Sequence, residues 1–492
     1  MTSRTKIQLI AAICALVLLA HPACNPYNPK LENVACGVGG LCPPGLSCDP
    51  GDGICRAPGN QDPDAGGGPC TEAIRVSATV NGQAISDGRT EPLLTVAPGD
   101  SIALSAVGSC VLQGTIAYAW TIESQDGSFD LAATSDNGVD SETLSVFAER
   151  AGIYRIALTV SNGGIAEQTL DAIAFEVPAW TVVDSFPAAP AGGPEFRDVS
   201  IGDGFLWVAS KEGAYRVSLA DPVGGTIEEV NSVIDTGGTN VALPSNSRAT
   251  FYETDRKFAW FSNEASDTDI YRGNFQNAIP IGQAINLSGA ASGQIRDIAP
   301  LSPNGVVVAS QAGVFSSPGS SVFTPVDTTI DARAVLSRAG ELWVGSDGVE
   351  GLRELTSDQL VDVFPGSLVD DKIRRIILVD DRLWIASLDQ GIARVNPADT
   401  SDKTIYNLAG GHLPSNNVQF LAAEASGDIW AGTTGGVARY KADRDLWVIF
   451  TQDGLEGHID ANTIAVDESN GRRTILVGSK GMAVLSVPTL SP

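Results

Sequence analysis

Short apolar strands separated by Gly-bearing turns recur along the last two-thirds of this chain. The clearest copy of the pattern is an apolar run that ends in a small residue, followed by a turn and a second strand. It appears as Leu206-Trp-Val-Ala-Ser210, Ala259-Trp-Phe-Ser-Asn263, Val306-Val-Val-Ala-Ser310, Leu342-Trp-Val-Gly-Ser346, Leu383-Trp-Ile-Ala-Ser387, Ile429-Trp-Ala-Gly-Thr433 and Ile475-Leu-Val-Gly-Ser479. Successive copies start 53, 47, 36, 41, 46 and 46 residues apart. A period of about 40–45 residues filled with several short strands is that of a β-propeller blade, so seven copies predict seven blades. In the sixth, the pattern predicts an innermost strand over 417–423, then strands over 428–432, 437–441 and 446–451. Five Trp (Trp207, Trp260, Trp343, Trp384, Trp430) hold the same place in the second strand, which predicts packing between blades; an aromatic stripe for sugar is the alternative. The last repeat stops after Met482-Ala-Val-Leu-Ser-Val487, one strand short, and Trp180-Thr-Val-Val-Asp-Ser-Phe186 has the pattern of an outer strand. The segment 180–186 is therefore expected to complete blade seven and close the ring, which removes exposed sheet edges.

The best copy is the sixth, with Leu413-Pro-Ser-Asn-Asn-Val418, Gly427-Asp-Ile-Trp-Ala-Gly-Thr433, Gly436-Val-Ala-Arg-Tyr440 and Trp447-Val-Ile-Phe-Thr-Gln-Asp-Gly-Leu455. These blades resemble the two-component-regulator propeller repeat of bacterial sensor proteins, over about 310 residues, and the resemblance implies the fold. Upstream, residues 70–178 alternate apolar and polar positions in Ser101-Ile-Ala-Leu-Ser-Ala-Val107, Ile116-Ala-Tyr-Ala-Trp-Thr-Ile122 and Ile153-Tyr-Arg-Ile-Ala-Leu-Thr-Val160. This is the period of half-buried strands and predicts a β-sandwich with Trp120 in its core. Tyr118-Ala-Trp120 and Ala151-Gly-Ile-Tyr154 resemble a PKD or bacterial Ig-like module, although the Trp-x-Phe-Gly-Asp-Gly signature of PKD modules is missing. Ig-like is the safer description.

The first residues read as an export signal. Arg4 and Lys6 precede the apolar stretch from Ile7 to Ala20, too short to span a bilayer and suited to a signal peptide. It ends in Ala20-His-Pro-Ala-Cys24, which resembles the lipobox of bacterial lipoproteins with His21 where Leu is usual; Cys24 is then the lipidated residue. Ordinary signal cleavage is the alternative. With Cys14 removed and Cys24 lipidated, six cysteines remain, an even set for an oxidising compartment: Cys36, Cys42, Cys48, Cys55, Cys70 and Cys110. Cys70 and Cys110 are expected to staple the sandwich. The other four allow three pairings, of which Cys36 with Cys48 and Cys42 with Cys55 is preferred; a four-cysteine metal site is the competing reading.

The expected chain is thus all-β. It comprises a signal peptide (1–23), a disulfide-stapled Cys-rich segment (24–56), a flexible linker (57–69), an Ig-like sandwich (70–178) and a seven-bladed propeller (180–489). Of 492 residues, 58 are acidic and 31 basic, a net charge of −27 that repels phosphate backbones and argues against nucleic acid as a partner.

No catalytic signature or metal motif stands out, and no catalytic or metal residue is assigned. His412 and His458 fall in corresponding inter-blade connections and read as structural or exposed. Asp370-Asp371 and Asp380-Asp381 are sequence neighbours rather than a catalytic pair, and Ca²⁺ near Asp49–Asp52 or Asp62–Asp64 is a minor reading with no other cofactor expected. The turns after the second strands carry the candidate ligand face: Lys211, Glu212, Asp347, Glu350, Asp389, Gln390, Thr434 and Lys480. The function expected is non-catalytic binding of a protein or glycan by a lipoprotein of the bacterial cell envelope. The alternative is a propeller lyase or hydrolase acting on a polysaccharide or small cyclic substrate. If Cys24 carries lipid, Cys24→Ser moves the protein from the membrane to the soluble fraction or stalls its processing. Mass spectrometry of the mature N-terminus, finding an unmodified residue, would reject the anchor.

Overall fold

The computed structural model describes residues 70 and 72–489, apart from 126–137, 164–165, 236, 244, 264–268, 276–280, 287–292, 302–304, 318–321, 339, 349–350, 357–358, 363–371, 452–453, 456–459 and 470, together with short strands at 34–35, 47–48 and 54–56. All regular structure among these residues is β. Seven sheets follow one another, antiparallel apart from one parallel pairing in the second, each built outward from a strand that lies nearest the axis. Those first strands are Phe196–Gly202, Thr250–Glu253, Ile295–Leu301, Ala332–Arg338, Ile373–Val379, Val418–Ala423 and Thr463–Asp467. Each neighbours the next, and the last neighbours the first, which makes the sheets the blades of a closed seven-bladed propeller.

The closure is the one the strand pattern predicts. Thr181–Val183 pairs antiparallel with Gly481–Pro488 as the fourth strand of blade 7, so the beginning and end of the propeller share one sheet. The long first interval in the repeat also has a physical origin. Ser232–Ile234 and Asn240–Ala242 form an extra hairpin added to the outer edge of blade 2, making that sheet six-stranded.

Six of the seven copies of the repeat end in Ser or Thr, for a local reason. The Ser210, Ser310, Ser387 and Thr433 hydroxyls donate to the carbonyls of Gly213, Gly313, Gly391 and Gly436 across the turn. The same oxygens accept from the backbone N–H of Glu212, Ala312, Gln390 and Gly435. A buried hydroxyl thus satisfies two backbone groups that the tight turn would strand.

The five second-strand tryptophans are all buried and pack between blades rather than forming an open stripe. Trp207 stacks on Tyr252 of blade 2 at 5.5 Å between ring centroids, with Phe261 and Phe275 of that blade around it. Gly202 leaves room for Tyr252, since a Cβ there would lie 1.8 Å from its ring. Trp384 meets Tyr440 and Trp447 of blade 6. Their burial stabilises the contact between neighbouring sheets.

Ahead of the propeller, two four-stranded sheets face each other. One orders Ala117–Ser124, Gly152–Ser161, Glu167–Val177 and Leu94–Thr95; the other orders Thr143–Phe147, Ser101–Ser105, Ala78–Val80 and Gln83–Ile85. Trp120, Tyr154, Leu158 and Phe175 fill the space between them, and the Trp120 indole donates to the Ser141 carbonyl. The Cys70–Cys110 disulfide ties the first residue of this region to the strand Cys110–Val111. Cys48 and Cys55 lie opposite each other in the backbone ladder. Cys24, Cys36 and Cys42 lie outside the described residues, as do the preferred pairings, the leader and the Asp49–Asp52 and Asp62–Asp64 segments.

The sandwich is fastened to the propeller by a buried ion network. The turn Ala97-Pro-Gly-Asp100 enters against blades 6 and 7. The fully buried Arg439 guanidinium donates to Asp100 Oδ1 at 2.8 Å and the Pro98 carbonyl at 3.0 Å from one nitrogen, and pairs with Glu424 at 2.8 Å and Asp428 at 3.0 Å from another. Arg473 bridges Asp100 and Glu424, and Lys441 pairs with Asp428. Arg444 donates to the Ser101 and Ser145 hydroxyls at 2.6 and 2.7 Å. Gly99 makes the approach possible, with φ +79° and Val448 3.0 Å from where a Cβ would sit.

Burial opposes ionisation of Asp100, but Arg439, Arg473 and Lys441 outweigh it and hold its pKa below 3.8. Its stabilising contribution is therefore present above that value and lost as pH falls through the lower, folded one. Removing one member leaves the buried partners under-neutralised, so Asp100→Ala is expected to cost about 3–5 kcal/mol. A urea midpoint that does not move would show the network to be inessential.

Candidate functional site

The most distinctive chemistry lies at the axis, at the end where each first strand begins. Blades 1, 3, 4, 5 and 6 carry a β-bulge there. The ladder register slips between Phe196 and Asp198, Ile295 and Asp297, Ala332 and Ala334, Ile373 and Arg375, and Val418 and Phe420. The residues passed over are Arg197, Arg296, Arg333, Arg374 and Gln419. Blade 2 has Arg248 in the corresponding place, with its N–H on the Ser262 hydroxyl, and blade 7 has Asn462, with its N–H on the Gly478 carbonyl. A bulge releases a side chain from the alternation of the strand and re-aims it. All seven residues line one cavity of about 230 Å³ at the mouth of the central channel. Five blades out of seven thus place an arginine at one equivalent position.

The chain supplies some of the counter-charge. Arg296 pairs with Asp331 at 2.7 Å and Asp347 at 3.2 Å. Asp347 also lies 3.5 Å from Arg374 and 4.0 Å from Arg333. Arg197 donates to Asn246 at 3.0 Å. Arg296 Nε and Arg374 Nε are buried without a hydrogen-bond partner, as are Arg439 Nε and Arg473 Nε in the interface network. Burial and the neighbouring guanidiniums of Arg374, Arg248 and Arg296 pull the pKa of Arg333 down, with Asp347 working in the other direction.

Beneath the ring, Asp198 and Asp297 share Arg375, at 3.6 and 3.0 Å, and the Arg375 guanidinium lies 4.2 Å from the centre of the Phe420 ring. Both carboxylates are engaged by the scaffold. Asp198 accepts the N–H groups of Val199 and, from blade 2, Thr250. Asp297 accepts those of Ile298 and, from blade 4, Val335. Each acid therefore ties its own inner strand to the next. Burial, partly offset by Arg375 and reinforced by Asp297, raises the pKa of Asp198 to about 7; burial also raises that of Asp297.

The candidate ligand face falls at this same end, mostly outside the ring. Lys211 is 3.5 Å from Glu195, Glu212 accepts the Glu195 N–H, and Lys480 bridges to Glu195 through the backbone. Asp389 lies 3.9 Å from Lys372, the Gln390 N–H meets the Ser387 hydroxyl, and Thr434 is 3.0 Å from the Ser415 hydroxyl. Glu350 lies outside the described residues. Asp347 alone of the described candidates reaches the arginines. His412 is held in a local turn, with its Nδ1 at 3.4 Å from the Asn407 N–H and its ring against Tyr406, while His458 lies outside the described residues. Asp380 and Asp381 form the turn between the first two strands of blade 5, away from this mouth. Among the described residues no three His, Cys, Asp or Glu side chains gather as a metal site. The arginines escaped the sequence reading because they stand next to the repeat rather than in it. The signal was an Arg beside the start of the inner strand in five of the seven blades.

No protein-family model matches this chain, and no curated protein does. Solved structures with similar folds include the extracellular domain of the putative hybrid two component system BT3049 from B. thetaiotaomicron, at 17% identity and TM-score 0.49 over 71% of this chain. This chain spans under half of that neighbour's length, 46%. Virginiamycin B lyase from Staphylococcus aureus is similar at 13% identity and TM-score 0.47, over 63% of this chain and 100% of that one.

The raised pKa of Asp198 has a sign that can be measured. The folded state holds its proton more tightly than the unfolded chain, so stability is full below 3.8 and declines as pH rises through about 7. Melting temperature is expected to fall across that interval in the native protein and to fall less in Asp198→Asn. Parallel profiles would contradict the assignment.

Proposed function

We propose that this chain is an exported binding protein that captures an acidic ligand, a glycan or a protein, at the mouth of its propeller and does not turn it over. The observation that carries this reading is the arginine at the equivalent position of five blades, in a molecule whose net charge is −27. Concentrating cations at one concave site of an acidic protein has a cost in self-repulsion that a bound anion relieves. The leader ending just before Cys24 supports export and a lipid anchor, with the sandwich as an Ig-like spacer. The bond from the Tyr154 hydroxyl to the Arg150 carbonyl is in keeping with that module.

The enzyme alternative, a lyase or hydrolase, finds its nearest support in Asp198 and Asp297. Two carboxylates around a cleft are what glycoside hydrolysis uses. Their oxygens are already engaged by four backbone N–H groups, which favours a scaffold role.

Titrating the full chain with polygalacturonate and with neutral dextran tests both readings. The acidic polymer is expected to bind, more weakly as salt rises. Arg333→Ala with Arg374→Ala should weaken it by about tenfold or more for each guanidinium removed. Equal affinity for the two polymers would reject the binding reading, and release of new chain ends would favour the enzyme.

A further inference from the structure

The chemistry of the ring narrows the ligand, provided the mouth is the ligand site proposed above. The cavity, about 230 Å³, is smaller than the pockets that enclose a drug-sized molecule, so it suits an end group. Its apolar lining is confined to Phe196 and Phe420, and Phe420 already faces Arg375, so no open aromatic platform is offered to a neutral sugar. What the site offers is guanidinium forks from several directions around an axis. A planar carboxylate has two oxygens and is satisfied by one or two forks, whereas a phosphate or sulfate group has three or four oxygens spread over a tetrahedron.

The chain also contains a stand-in for the ligand. The carboxylate of Asp347 lies 3.2 Å from Arg296, 3.5 Å from Arg374 and 4.0 Å from Arg333, reaching guanidiniums from three blades without a short approach to two of them. It hangs from the second turn of blade 4, its N–H fixed on the Asp331 carbonyl. We infer that the ring is a site for a compact oxyanion of the phosphate or sulfate-ester kind, and that Asp347 is an internal competitor that this ligand displaces from Arg333 and Arg374.

The competitor gives the test a sign that a merely structural role would not. Isothermal titration of the full chain at low salt uses inorganic phosphate, inorganic sulfate, glucose 6-phosphate and glucuronate. Phosphate and sulfate are expected to bind at one site per chain, with glucuronate at least about tenfold weaker. Asp347→Asn should tighten phosphate several-fold, Arg374→Ala should weaken it by about tenfold or more, and Arg374→Lys, which keeps the charge but not the fork, should fall between. Glucose 6-phosphate tighter than phosphate identifies an ester as the source; the reverse order identifies free oxyanion. Either order supports the site. Glucuronate as tight as phosphate, or an Asp347→Asn variant no tighter than the native chain, overturns the inference. If polygalacturonate binds through Arg333 while phosphate does not, the oxyanion assignment fails and the acidic-ligand reading stands. If neither binds, both fail.

Discussion

Three residues, Thr181–Val183, hold the two ends of the propeller in one sheet, and the rest of the molecule depends on that pairing. An open stack of blades would leave unpaired strand edges at both ends. It would also have no common axis. The convergence of Arg197, Arg248, Arg296, Arg333 and Arg374 on one cavity is possible because closure brings equivalent positions of distant blades to the same radius. The acids beneath them use the same geometry. Asp198 and Asp297 each reach the backbone of a neighbouring blade, so the inner strands are linked by hydrogen bonds as well as by packed tryptophans.

Charge is handled in two ways at the two ends of the inner strands. Gln419, at the beginning of Val418–Ala423, stands in the ring; Glu424, just past its end, stands in the interface with the sandwich. At the interface Arg439, Arg473 and Lys441 are matched by Asp100, Glu424 and Asp428, so the charges there balance without a ligand. At the mouth, Arg296, Arg333 and Arg374 share Asp331 and Asp347. A buried cluster whose opposite charges balance specifies a fixed docking geometry.

Much of the architecture was legible because blade packing repeats. The second-strand Trp, the terminal Ser or Thr and the Gly of the turn recur because each blade must solve the same problems of burial and turn satisfaction. The fourth strand of blade 7 was legible for the same reason, as an outer-strand pattern displaced to the start. The hairpin on blade 2 was not, since a single insertion follows no period. The site was legible in part. Asp347 could be placed at the end that carries the turns after the second strands, but its partners lie in three different blades and share no local pattern with it. Arg296 and Arg374 read as ordinary strand residues until the bulge turns them to the axis.

That bulge has a consequence for how such a protein can change. Five of the seven mouth residues belong to no rung of the ladder, because the register passes them by. Gln419 and Asn462 already break the run of arginines while their blades keep four strands. The chemistry of the mouth and the pairing of the strands are therefore written at separate positions. The mouth can be rewritten one blade at a time, each substitution altering a seventh of its chemistry and leaving the frame that carries it intact.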